Sequence, residues 1–104
     1  MAVIDINEKN FDAEVRKSQL PVVVDFYAGW CTPCLMMAEM LEDMSETLCG
    51  RAKVVKVDVM SETDLAGSFR VHSVPTIMVF KGGEVTDTLV GATGKNQIMQ
   101  VLDL

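Results

Sequence analysis

Val22-Val23-Val24-Asp25-Phe26-Tyr27, followed after Ala28-Gly29 by Trp30-Cys31-Thr32-Pro33-Cys34, is the stretch on which the fold turns. Its first six residues are mostly β-branched or aromatic and nearly continuous in hydrophobicity, the pattern of a central strand buried on both faces. Asp25 is the exception. Past Cys34, the positions Met37, Leu41, Met44 and Leu48 make one helical stripe, while Glu39, Glu42, Asp43 and Glu46 supply a wet face up to Gly50. The two cysteines therefore fall between a buried strand and the start of what the pattern predicts as the longest helix.

Upstream, Val3 to Ile6 reads as a short strand. Asn7 or Asn10 is then placed to cap a helix carrying Phe11 and Val15 at i, i+4 spacing, which Ser18 to Pro21 breaks. Downstream, Lys53 to Val59 alternates as a strand, and Ser61 with Asp64 makes a capping-box-like start for a short helix carrying Leu65 and Phe69. Thr76 to Phe80 and Glu84 to Val90 are strands joined by Lys81-Gly82-Gly83, a link short and glycine-rich enough for a hairpin. Lys95 to Leu104 closes the chain with a helix that puts Ile98, Val101 and Leu102 on one side. The order βαβαβαββα predicts an α/β fold: a mixed sheet with helices on both faces, its early strands joined by right-handed crossovers. No linker, repeat or low-complexity segment interrupts residues 1–104, which read as one domain.

With 104 residues, 49% of them hydrophobic, the chain has enough apolar material for one core. A formal net charge of −6 argues against nucleic acid as a partner, because phosphate binding needs clustered Lys and Arg. No apolar run approaches the roughly 20 residues needed to cross a bilayer, so no membrane role is expected. The first residues lack the basic start and apolar centre of a signal peptide, and the chain is expected in the cytoplasm. Three cysteines are too few, and odd in number, for a disulfide scaffold.

The i, i+3 spacing of Cys31 and Cys34 at a helix start brings the sulfurs to one side of a turn and leaves Cys31 near unpaired backbone N–H groups. Such an environment favours a thiolate, the attacking species in disulfide exchange, with pKa values falling toward ~7 from ~8.5. Pro33 suits the first turn, where its missing N–H is not needed. The competing reading of the pair is a zinc site. Structural zinc takes four ligands, and Cys49 and His72 are the other candidates. Cys49 lies about 22 Å along the predicted helix from Cys34, which favours redox chemistry.

Asp25 has two readings: a strand-end residue facing solvent, or a buried carboxyl whose pKa is raised by desolvation. The second makes it a proton acceptor for Cys34, with Lys56 on the next strand as its partner. Pro75, within Val74-Pro75-Thr76, reads locally as an ordinary strand-start proline. Met36 is a candidate for an adaptable apolar surface, whereas Met37 reads as core, Cys49 as a small residue near a helix end and His72 as a surface-loop residue.

Taken together, the landmarks resemble the thioredoxin family over essentially the whole chain. They are Phe11, Asp25-Phe26-Tyr27-Ala28, Trp30-Cys31-Thr32-Pro33-Cys34, Lys56-Val57-Asp58, Val74-Pro75-Thr76, Phe80-Lys81-Gly82-Gly83 and Val90-Gly91-Ala92. The resemblance implies the five-stranded thioredoxin fold and reduction of protein disulfides. It implies Cys31 as nucleophile, Cys34 as resolving thiol, Asp25 as buried base and Pro75 as a cis-proline facing the disulfide. An apolar docking surface would surround Trp30, Val74, Pro75, Gly91 and Ala92, next to the Thr32-Pro33 dipeptide. The implied partners are disulfide-bearing proteins and a thioredoxin reductase, an NADPH-dependent flavoprotein. No cofactor is expected on the chain itself, which should act as a monomer.

Four positions depart from the family pattern. Thr32 stands where many relatives carry Gly, Leu35 replaces a frequent Lys, Glu39 replaces a helix-kinking proline and Met60 replaces a common Asp near Trp30. A straighter helix is expected from Glu39, and an indole N–H without its usual acceptor from Met60. Besides the reductase, two other readings stand: an oxidase or isomerase, and a binding subunit with incidental cysteines.

Overall fold

The computed structural model describes residues 3–104. Side chains along a strand point alternately to opposite faces of the sheet, and this alternation organises the molecule around β2 (Val22–Tyr27). Val22, Val24 and Phe26 enter one apolar cluster with Phe11, Val15 and Leu65. Val23 enters the other, with Met37, Leu41 and Ile98. Asp25 shares the parity of Val23, so it faces the layer that holds Met37 and Leu41.

Five strands form one sheet in the order β1-β3-β2-β4-β5. They are β1 (Ile4–Asp5), β2, β3 (Lys53–Asp58), β4 (Thr76–Lys81) and β5 (Glu84–Val90). β1 and β2 run parallel to β3, while β4 is antiparallel to β2 and β5 to β4, so the sheet is mixed. Helices α1 (Thr32–Thr47) and α3 (Lys95–Leu102) cover one face, and α2 (Thr63–Ser68) the other. This is the expected thioredoxin-type architecture. With Glu39 in place of proline, α1 runs unbroken through its 16 residues.

Two helix starts differ from expectation. The Phe11–Val15 segment is a single π-type turn, Asp12–Arg16, in which the Lys17 N–H donates to Asp12 O at 2.8 Å. Neither asparagine caps it: Asn7 Oδ1 accepts from the N–H groups of Lys9 and Asn10, and Asn10 Oδ1 accepts from Asn7 N–H. The two amides close the preceding turn on themselves, a local alternative that such side chains offer the backbone. Phe11 and Val15 are buried all the same. At α2, Glu62 occupies the N-cap without a side-chain capping bond, its Oε1 accepting instead from Glu8 N–H, and the Ser61 hydroxyl donates to Asp58 O.

The β4–β5 hairpin turns through Gly82 (φ +60°) and Gly83 (φ +85°), the pair of positive dihedrals that a tight two-residue turn requires. Gly83 is constrained further, because a Cβ there would sit 2.7 Å from the Arg16 carbonyl oxygen.

Candidate active site

The chain leaves β2 through Ala28, whose carbonyl accepts from Cys31 N–H at 3.1 Å, and enters α1 with Cys31 as the N-cap. Cys31 Sγ accepts from Cys34 N–H at 3.2 Å, so the first cysteine occupies the position where helix ends hold acceptors and negative charge. Cys31 and Cys34 are joined by a disulfide, with Cα atoms 5.2 Å apart. Both are buried, and they pack with Ala28 against Tyr27, Val59 and Val74.

Val74 is bonded to Pro75 through a cis peptide. Pro75 O accepts from Gly91 N–H at 2.8 Å, tying the proline loop to the turn after β5, where Gly91 has φ +92°. Trp30 is 68% exposed and lines a depression with Val59, His72 and Val74. Thr32, Pro33 and Ala92 are exposed beside these groups along the chain. Among the described residues, no acceptor meets the Trp30 indole N–H, and Met60 is exposed, consistent with the loss of the usual acidic residue. His72 is exposed, as expected of a loop residue, and borders the Trp30 depression.

Behind the disulfide, a cavity of about 130 Å³ is lined by Asp25, Cys34 and Lys56 together with Val3, Leu35 and Glu42. Asp25 is 5% exposed, and its Oδ1 has no hydrogen-bond partner among the described residues. Burial drives its pKa up to about 7, the opposing pull of Lys56 being smaller. A carboxyl group so placed changes protonation state near neutrality, the range in which a proton acceptor is effective. The solvent-facing reading of Asp25 is thereby removed. Lys56 stands in register beside Asp25, but its ammonium pairs with Asp5, at 3.7 Å, rather than with Asp25.

Compared with known proteins, the thioredoxin family model matches residues 2–104. The chain belongs to the thioredoxin family. It is 39% identical to thioredoxin C-2 of Corynebacterium nephridii over 101 residues, 97% of this chain and 94% of that protein. It is 40% identical to a thioredoxin of Rickettsia bellii over 96 residues, 92% of this chain and 91% of the other. Thioredoxin 1 of a Nostoc species matches at 38% over 102 residues, 98% of this chain and 95% of its own. With its cysteines at disulfide distance, the chain is a thiol–disulfide oxidoreductase acting on protein disulfides.

Reading the sequence missed Val3, Asp5 and Glu42 as neighbours of the site. Glu42 Oε1 accepts from Val3 N–H at 3.0 Å and so fixes Val3 against α1. Only the strand register and the helix face reveal these contacts. In the sequence, Glu42 reads as part of the wet face of α1.

Proposed function

We propose that this thioredoxin works as a protein-disulfide reductase in which Cys31 attacks, Cys34 resolves and Asp25 accepts the proton that Cys34 gives up. The Cys31 thiolate attacks one sulfur of a target disulfide, forming a mixed disulfide and releasing the other target sulfur as a thiolate. Cys34 then loses its proton to Asp25 and attacks Cys31 Sγ. The second target thiolate leaves, and the Cys31–Cys34 disulfide closes. Two electrons have passed from the dithiol to the target; the Cys34 proton rests on Asp25, and the two target thiolates take up protons from Asp25 and solvent.

The observation that carries the reading is the shared cavity. Asp25, buried and with its pKa pushed up to about 7, lines the same space as Cys34, while Cys31 sits at the helix start. Lys56 lowers the Asp25 pKa and so moderates the base. Trp30, Val74, Pro75, Gly91 and Ala92, with Thr32 and Pro33, form the surface that receives the target; the Gly91–Pro75 hydrogen bond supports their acting together. Continued turnover needs an external source of electrons, which we assign to a thioredoxin reductase. We place the chain in the cytoplasm and as a monomer. Among the described residues, no helix is long and apolar enough to cross a membrane.

The test is release of reduced target from a preformed mixed disulfide on Cys31, followed against pH in the unaltered protein and in Asp25→Asn. The unaltered protein should show a rate step near pH 7, with the variant slower on the order of 100-fold and lacking the step. Identical profiles would remove Asp25 from the reaction. Equilibration of the Cys31–Cys34 pair with glutathione decides the direction: a reductase equilibrates almost wholly oxidised, an oxidase largely reduced.

A further inference from the structure

Asp5, Lys56 and Asp25 stand in one line across three neighbouring strands. Asp5 is in register with Lys56 on β3, and Lys56 in register with Asp25 on β2. Residues in register on paired strands project from the same face of the sheet, so one lysine lies between two carboxyl groups. Its ion pair is with the outer one, at 3.7 Å, while Asp25 Oδ1 has no hydrogen-bond partner among the described residues. The Asp5 side chain is 79% exposed and that of Lys56 39%, so the pair lies toward solvent, while Lys56 also lines the Asp25 cavity.

The other charged and titratable groups around Lys56 do not compete for it equally. Glu42, on α1, lines the cavity, but its carboxylate is engaged by Val3 N–H at 3.0 Å. Tyr27, on β2, offers the lysine its ring face, 5.7 Å from Nζ. Asp58, at the end of β3, accepts from Met60 N–H at 2.9 Å. Cys34, on α1, is held in the disulfide. Asp5 is the acceptor that pairs with the ammonium.

We propose that Asp5 is a positioning residue for the redox reaction: by holding the Lys56 ammonium on the solvent side, it keeps that charge away from Asp25 and preserves Asp25 as a base. The inference rests on the reading of Asp25 as the proton acceptor. With Asp5 neutralised, Lys56 loses its outer partner and turns toward the buried carboxylate, which it stabilises in the ionised form. A weaker base results, although Asp5 touches neither the sulfurs nor the target. Glu42 assists indirectly, since its bond to Val3 fixes the chain entering β1.

The experiment follows the Asp25 carboxyl by ¹³C NMR titration of the oxidised full-length protein, alongside Asp5→Asn, Asp5→Glu and the double variant Asp5→Asn/Lys56→Gln referenced to Lys56→Gln. Asp5→Asn should lower the Asp25 midpoint by about half a pH unit, the scale of an exposed ion pair. Asp5→Glu should restore it, and in the Lys56→Gln background Asp5→Asn should move it by much less. A purely structural role for Asp5 would change stability without this pattern. An Asp25 midpoint near 7 that ignores Asp5→Asn, or that falls equally with and without Lys56, overturns this inference alone. A midpoint in the ordinary carboxylate range in the unaltered protein overturns the proton-acceptor reading as well.

Discussion

Asp25 on β2 and Cys34 on α1 line one cavity, so the carboxyl group buried by the strand faces the cysteine buried by the helix. Strand alternation produces this meeting. Val22, Val24 and Phe26 fill the core on the opposite face, leaving Val23 and Asp25 for the side that α1 covers. A shift of one residue in β2 would send Asp25 to the other core and sever it from the cysteines.

A buried carboxyl in that place weighs on stability. The unfolded chain ionises Asp25 near 3.8, whereas the folded protein holds its proton up to about 7. Between those values the folded state binds the extra proton, so the stability this group contributes is complete below 3.8 and is lost as pH rises through 7. The difference is on the order of 4 kcal/mol. Asp25→Asn, neutral throughout, should therefore be more stable than the unaltered protein at pH 8 and nearly equal to it at pH 4. Denaturant unfolding at the two pH values measures this, and a difference that does not change with pH contradicts it.

The hairpin gives a second test, away from the site. Gly83→Ala combines a φ of +85° with a Cβ 2.7 Å from the Arg16 carbonyl oxygen, whereas Gly82→Ala has a positive φ but open space. Gly83→Ala should destabilise the fold by about 3 kcal/mol and Gly82→Ala by about 1 kcal/mol. Equal effects on thermal unfolding would show that the close approach to Arg16 carries no weight.

Trp30 presents most of its surface to solvent beside the disulfide, which suits a docking role rather than a core one. Trp30→Ala should lower kcat/KM on a protein disulfide about 10-fold, the scale of a lost aromatic anchor. Turnover of a small-molecule disulfide and thermal stability should change little. Equal losses on both substrates would assign the indole to the chemistry instead.

Much of this was legible in the sequence because local signals and global fold agree. The apolar run at β2, the stripe Met37-Leu41-Met44-Leu48 and the Gly82-Gly83 turn all lie where their patterns put them. Asp25 stood out because a carboxylate in a dry strand needs a reason. The Phe11 segment and the start of α2 were misread because Asn7, Asn10 and Ser61 bond to backbone groups outside the helices they were expected to cap. Such side chains serve turns as readily as helix ends. The Asp5–Lys56–Asp25 line was illegible for another reason: it depends on the pairing register of three strands distant in sequence.

The division of labour between the cysteines is the centre of the account, and trapping with a protein disulfide tests it most directly. Cys34→Ser should accumulate a stable mixed disulfide through Cys31, seen by mass spectrometry as one target joined to one thioredoxin, while Cys31→Ser should accumulate none. An adduct formed through Cys34 in the Cys31→Ser protein, with none on Cys34→Ser, would reverse the two roles and contradict the mechanism.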